Sequence, residues 1–492
     1  MSANRRIAGN VVATILGEGV GALLNIYVII LIARELGPEN FGAFSFILAF
    51  VGLIQLVTDM GITNLLVREI AQNPERYPAI IGSVRSLAWM LTGIVLLPLS
   101  IVCLVFIDDK DFGLSLLLMA SAALAVMHAV IYGAVFRAFE RMTFNATFFV
   151  LHKILLLVLV LVWMAGEATI LNLCLVYLLA NIAQFLMFFI ATWKVFGRVK
   201  LAFDYPYLKY LLIEAIPVGF SMLFRKATLH VDSILLSALS TPLALGLFSA
   251  AYRIIQIIEM LPFTLSIPMY PQLARLAGTN MQAFNDFLNK ILRFYVMIAL
   301  PVMGGLFIFA NQIIGIMYTD DYQSAGALLQ ALSVVVFFIF PSSIMIYVYT
   351  ATQKQRLFTW VSLGVFSINA ILDVIFIPFF DALGAVIGTA FAEAFFVISS
   401  LYLLNKSGCI VDVVSIIVRP LLALVLAVTV FELVPIFDGI LMLIVQGVLF
   451  LILYAALLLV TRAITLAEIK TVAQGLKRSK AQSVDSQLEG NS

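Results

Sequence analysis

The sequence predicts an all-α, polytopic membrane protein, and three observations carry that prediction. Of 492 residues, 63% are hydrophobic and 11% are charged, whereas a soluble domain carries roughly 25% charged residues. The mean hydropathy is +1.11. The apolar residues fall in runs long enough to cross a bilayer, which takes about 20 residues of helix. The basic residues cluster between alternate runs. The net charge of +2 adds little, because the placement of charges matters more than their sum.

Reading apolar runs between charged or Pro/Gly-rich breaks gives about fourteen spans. They cover 7–34, 40–65, 80–107, 113–136, 144–165, 168–193, 211–238, 243–269, 287–317, 324–350, 357–379, 382–404, 412–435 and 438–462. The first run follows "MSANRR" and is too long for the apolar core of a signal segment, so it is expected to stay as a helix. Charge tests the count. All basic residues except Lys110, Arg34, Arg225, Lys226 and Arg253 fall on one set of alternating segments or on the tail; Lys153 is counted there with Arg137 and Arg141. The intervening loops hold Lys110 and acids such as Asp108, Asp109, Asp111, Glu167, Asp320, Asp321, Asp381 and Asp438. Lys/Arg bias in short loops sets orientation, so both termini are expected in the cytoplasm.

The chain repeats. "GPENFGAFS" (37–45) and "TPLALGLFS" (241–249) share P-x-x-x-G-x-F-S, from Pro38 to Ser45 and from Pro242 to Ser249. Each lies at the turn between the first two spans of a six-span half. An even number of spans preserves orientation, which makes the halves parallel repeats about an axis along the membrane normal. The expected organisation is a six-helix bundle over 1–200, a second over 201–405, two extra helices over 406–465, and a polar, disordered cytoplasmic tail over 466–492. The basic, aromatic segment 193–212 links the bundles.

Four basic residues escape the loops. Arg225 lies roughly 20 Å along the seventh span and Arg253 roughly 15 Å from the outer end of the eighth. Both are near mid-membrane, where an Arg or Lys costs about 2.5–3.5 kcal/mol on insertion scales and normally faces a wet cavity or the bundle interior. Guanidinium suits bidentate contact with phosphate oxygens. Arg225, Lys226 and Arg253 are therefore candidates for the wall of a cationic cavity. The competing reading is internal pairing, because Asp232 follows Arg225 by seven residues and Glu259 follows Arg253 by six. Arg34, at the outer end of the first span, either anchors the interface or lines the outer mouth of the same cavity. His230 shares a face with Lys226 and is expected to pack as a polar residue.

Glu18, Asp232, Asp373 and Glu393 are acids within spans. A buried carboxylate either holds a proton or a sodium ion, or pairs with a base. Asp59 is expected to cap or pair at the inner surface. Gly17/Gly21 and Gly384/Gly388 have the spacing of close helix packing. Pro217, Pro262, Pro301 and Pro341 fall inside spans and permit bends. Cys103, Cys174 and Cys409 have no paired spacing, so neither a disulfide framework nor a zinc site is expected. The chain has no G-x-x-x-x-G-K-[ST] loop and no long extramembrane segment. The three histidines lack metal-ligand spacing. No enzyme activity, cofactor, metal or nucleic-acid partner is expected, and energy would come from an ion, voltage or substrate gradient.

"ARELGPENFG" (33–42) and "DMGITNLLVREIA" (59–71) resemble the opening of the bacterial polysaccharide-unit (O-antigen and oligosaccharide repeat-unit) flippases. These belong to the multidrug/oligosaccharidyl-lipid/polysaccharide exporter superfamily. "HVDSILLS" (230–237), "LGLFSAAYRI" (245–254), "PMYPQLARL" (268–276), "MYTDDYQSAGALL" (317–329) and "LGAVIGTAFAE" (383–393) follow in the family's order. The resemblance covers about 5–405. It implies a multi-pass protein of the bacterial cytoplasmic (inner) membrane. Its two bundles would enclose a cationic cavity and move undecaprenyl-pyrophosphate-linked oligosaccharide to the outer leaflet by alternating access. It marks Arg34, Gly37, Pro38, Gly42, Asp59, Gly61, Arg68, Asp232 and Arg253; Arg225-Lys226 is not part of the pattern. Partners would be membrane lipid, a polysaccharide polymerase and glycosyltransferases, with proton or sodium coupling. Two alternatives stay open: a lipid II flippase, and an ion-coupled multidrug or small-solute exporter, for which a chamber dominated by acids is expected.

Overall fold

The computed structural model describes residues 3–464 except 60, 434, 436 and 438; the side chains of 3–16, 18, 215–222 and 229 also lie outside the described residues. The expected tail over 466–492 and the side chains of Glu18 and Pro217 therefore fall outside it. The described residues form helices and no strands. Fifteen α-helices follow in order: α1 Ala3–Asp59, α2 Ile62–Gln72, α3 Tyr77–Ile101, α4 Lys110–Ala138, α5 Met142–Met164, α6 Ile170–Phe196, α7 Tyr205–Leu239, α8 Pro242–Ser266, α9 Tyr270–Thr279, α10 Met281–Met317, α11 Ala325–Ala351, α12 Gln355–Phe380, α13 Ala382–Asn405, α14 Val413–Glu432 and α15 Ile440–Val460. Among the described residues, 12 segments are long and apolar enough to cross a membrane. The protein is a multi-pass membrane protein, with large apolar side chains such as Leu97, Trp360 and Phe379 turned outward as lipid requires.

Sequence and structure divide the first spans differently. The runs over 7–34 and 40–65 join in the single helix α1, broken only at Gly37 (φ 70°) before Pro38. Glycine carries the positive φ without a Cβ clash, and Pro38 withholds a backbone donor, so the axis turns here. The second run stops at Asp59. Gly61 (φ 81°) and the Asp59 carboxylate, which accepts from the Thr63 backbone and hydroxyl, start the separate helix α2. Its apolar face (Ile62, Leu65, Leu66, Ile70) is buried. A second short helix, α9, likewise follows α8. Both short amphipathic helices escape the hydropathy reading, which absorbs them into spans or loops.

The chain forms two compact units. The first comprises Met1–Ile257, Met317–Leu328 and Lys354–Phe396. Within it α4 packs on α6, α1 on α5 and α7, and α12 on α7. The repeated motif is its tightest junction. A Cβ on Gly42 would stand 1.8 Å from the Pro242 carbonyl oxygen, and one on Gly246 would stand 1.8 Å from that of Pro38. The two P-x-x-x-G copies thus cross reciprocally, each glycine admitting the other copy's proline carbonyl. Tyr318 and Tyr322 flank the crossing: their hydroxyls donate to the Ala250 oxygen at 3.1 Å and the Ala33 oxygen at 2.8 Å. The G-x-x-x-G pairs also pack closely. Gly17 and Gly21 face Ala146 and Phe149 of α5, and Gly384 faces the α12 backbone at Phe376 and Ile377.

The second unit comprises Ile258–Ile316, Leu329–Gln353 and the chain from Val397 onward. Phe309 of α10, Phe431 of α14 and Phe450 of α15 meet edge to face, with Gly304 leaving room for Leu424 and Phe450. Tyr295, Ser266 and Ser343 form a buried hydroxyl network. Pro262, Pro301 and Pro341 lie inside α8, α10 and α11. Cys103, Cys174 and Cys409 are buried and form no disulfide.

Candidate functional site: a cationic chamber in the first unit

A chamber of about 490 Å3 opens among α1, α4, α5, α6, α7 and α8. Its two cations are Lys153 and Arg253. Arg253 Nη1 donates to Gln256 Oε1 at 2.8 Å, and its Nε is buried without a hydrogen-bond partner. Lys153 Nζ donates to Asn25 Oδ1 at 2.8 Å and lies 5.6 Å from the centre of the Phe149 ring. Among the described residues, no carboxylate lines the chamber. Its remaining polar wall is neutral: Asn181, hydrogen-bonded to His152 at 2.9 Å, with Gln184, Tyr177 and Tyr252. Cations held by amides and a ring, without counter-charge, leave a positive potential for an anion to complete.

Lys153 is the residue that the reading of the sequence missed. Counted with the inner-surface charges, it stands near the middle of α5, roughly 16 Å from the helix start. Its position eleven residues into the apolar run "MTFNATFFVLHKILLLVLVLVWM" was the available signal.

A second chamber of about 380 Å3 adjoins the first; the two share Gly52, Gln55, Val126, Val130 and His230. Lys226 and Asp59 line it. His230 sits against Gly52, where a Cβ would lie 2.4 Å from the imidazole. Lys226 and Arg253 are thus brought to adjoining chambers.

Arg225 is placed differently. Its guanidinium is hydrogen-bonded to Glu393 Oε1 and lies 5.0 Å from the centre of the Phe396 ring. The side chains are 13% and 9% exposed, so this is an interior ion pair of α7 with α13. Successive helical residues point about 100° apart, which is how Arg225 and Lys226 reach different surroundings. Arg34 is exposed, and its Nε donates to the Met317 carbonyl at 2.7 Å. Arg68 bridges Glu69 and Glu214 at 3.5 and 3.4 Å.

The acids converge in one buried cluster. Asp232 (α7) and Asp373 (α12) face each other at hydrogen-bonding range, with Asn369 beside them. Thr389 Oγ1 donates to Asp232 Oδ2 at 2.7 Å. Asp232 Oδ1, both Asp373 oxygens and both ends of the Asn369 amide are buried without a donor or acceptor assigned to them. Gly388 makes the space: its Cβ would lie 2.1 Å from Asp373 Oδ1. Two facing carboxyls cannot both stay charged without a proton or a cation between them. Asn369 and Thr389 are the members that the sequence did not flag.

Residues 7–277, more than half of the chain, match the family described as polysaccharide biosynthesis protein. The chain belongs to this polysaccharide biosynthesis protein family. No curated protein matches it by sequence. Solved structures share the family member's fold. The lipid II flippase MurJ, in an inward closed conformation, is 16% identical with a TM-score of 0.74, covering 90% of this chain and 98% of that one. An inward-facing multidrug resistance MATE family transporter of the MOP superfamily is 16% identical with a TM-score of 0.65, covering 78% of this chain and 95% of that one. A MOP superfamily transporter from Pyrococcus furiosus, described as having a binding pocket of reverse polarity, is 17% identical with a TM-score of 0.56, covering 82% of this chain and 96% of that one.

Proposed function

We propose that this polysaccharide biosynthesis protein is a flippase, not an enzyme, which moves polyprenyl-pyrophosphate-linked oligosaccharide from the cytoplasmic to the outer leaflet by alternating access. The observation that carries the proposal is the first chamber: Lys153 and the under-partnered Arg253 share a wall that has no carboxylate among the described residues. A pyrophosphate crossing the membrane loses hydration, and fixed cations with amide donors replace it. Sugars suit the Asn, Gln and Tyr wall, while the polyprenyl chain stays in lipid. Lys226 in the adjoining chamber would meet the headgroup before or after Arg253. Arg225 serves the architecture through Glu393.

Coupling would reside in the Asp232–Asp373 cluster. A proton or sodium ion there relieves the carboxylate repulsion, and its loss would favour a different packing of α7, α12 and α13. The family description and the flippases and transporters that share the fold support this reading. The chamber's charge favours an anionic substrate over a cationic drug.

The test is reconstitution. Proteoliposomes holding the purified protein should move a fluorescent polyprenyl-pyrophosphate oligosaccharide to the opposite leaflet and should not accumulate a cationic dye. Dye transport without lipid translocation would sink the proposal. Selective movement of lipid II would redirect it to peptidoglycan precursors.

A further inference from the structure

A separate cavity of about 290 Å3 lies where α6 ends and the segment 197–204 begins. Six of its lining residues carry chemistry: Tyr77, Arg85, Tyr132, Thr192, Trp193 and Arg198. None of the first chamber's residues contributes. The segment is strapped across α3. Arg85 Nη1 donates to the Val199 oxygen at 2.8 Å, and the Ala202 amide donates to the Gly82 oxygen at 3.3 Å. Gly82 permits the approach, since a Cβ there would stand 2.8 Å from the Lys200 oxygen. This strap is the covalent connection between the first repeat and the second.

The cavity's polar groups are incompletely used. Tyr77 and Thr192 are 5% and 3% exposed, line the cavity, and have hydroxyls without a hydrogen-bond partner; Arg85 Nε is likewise buried and unpartnered. Leaving such groups unpaired is destabilising, and a bound ligand with acceptor oxygens would relieve it. Arg85 lies 5.7 Å from the centre of the Tyr132 ring and Arg198 lies 5.6 Å from that of Trp193, so both guanidiniums are held by ring faces. Two guanidiniums and two hydroxyls, with no carboxylate among the described lining residues, match a tetrahedral oxyanion with several acceptor oxygens. Trp193 is 50% exposed and is followed by Lys194, Arg198 and Lys200, the composition of a helix end at headgroup depth.

We infer that this cavity is a second binding site, for a phosphate group presented at the membrane surface, held by Arg85, Arg198, Thr192 and Tyr77 beneath the strap that joins the two repeats. The site goes beyond the transport reading and does not depend on it. The phosphate is either the headgroup of an anionic lipid or a soluble ion.

The test uses the full chain in a neutral maltoside detergent. Its thermal unfolding midpoint is titrated with short-chain phosphatidylglycerol and, separately, with inorganic phosphate, ionic strength being matched with chloride. The site predicts a saturable rise with at least one probe: with the lipid alone for a headgroup, with both for any phosphate. Arg198→Gln and Thr192→Val are mild changes, one at an exposed side chain and one isosteric. Neither should lower the ligand-free midpoint, and at least one should weaken half-saturation about tenfold, the worth of a charge-assisted hydrogen bond. No saturable rise with either probe, or a rise that neither substitution alters, would overturn the inference.

Discussion

Arg225 and Glu393 illustrate how a charge inside a membrane protein can be architectural. The two side chains are 13% and 9% exposed, so removing one strands the other in a poorly solvated place. Arg225→Ala should cost about 3–5 kcal/mol of stability, whereas the paired change Arg225→Met with Glu393→Leu should recover most of it. Thermal unfolding in detergent checks both, and a double variant no better than the single would refute the pairing role. Asp232 and Asp373 lead to a different expectation. Asp373→Asn removes one of the facing charges, so the protein should fold normally while losing any dependence of transport on the sodium or proton gradient. Retained gradient dependence in that variant would remove the cluster from coupling. At this scale the sequence was legible as to which residues are unusual, and less so as to what each touches. Arg225, Asp232 and Asp373 stood out because charges are rare in apolar runs. The choice between cavity and ion pair depended on the direction of each side chain from a helix whose neighbours were unknown. Lys153 escapes because it follows Arg137 and Arg141 along the chain, and order in the sequence does not separate a charge within a helix from those before it.

Among the elements, the crossing of α1 and α8 is set by two glycines and two prolines. Each proline presents its carbonyl oxygen, and each glycine opens the surface that receives the oxygen of the other copy. Gly42→Val or Gly246→Val should cost well over the 1–3 kcal/mol typical of overpacking, because the obstacle is backbone that cannot rotate away. Yield and unfolding midpoint report it, and a Gly42→Val protein of wild-type stability would show the crossing to be wrong. The double variant should be less than additive, since both changes break one junction. The repeated P-x-x-x-G-x-F-S was visible in the sequence as two separate turns. That the turns would meet each other was not, because periodicity describes a helix face and says nothing of its partner. Hydropathy also hid α2 and α9: a window long enough to find a span averages over a ten-residue amphipathic helix and its preceding glycine or proline.

For the whole molecule, composition alone requires a helical membrane protein, since an apolar chain in lipid must satisfy its own backbone. The family match adds polysaccharide biosynthesis, and the chamber adds charge. On the proposed function, Lys153 and Arg253 together carry a lipid-linked pyrophosphate across. The most direct test is translocation of the fluorescent polyprenyl-pyrophosphate oligosaccharide by four variants in proteoliposomes: Lys153→Gln, Arg253→Gln, Lys153→Arg and Arg253→Lys. The account predicts that each neutral variant loses roughly tenfold or more in initial rate, about the 1.5–3 kcal/mol of one charged hydrogen bond. The charge-conserving variants should retain most of the rate, and all four should have wild-type yield and unfolding midpoint. Wild-type rates in both neutral variants would contradict the account and move the substrate out of this chamber.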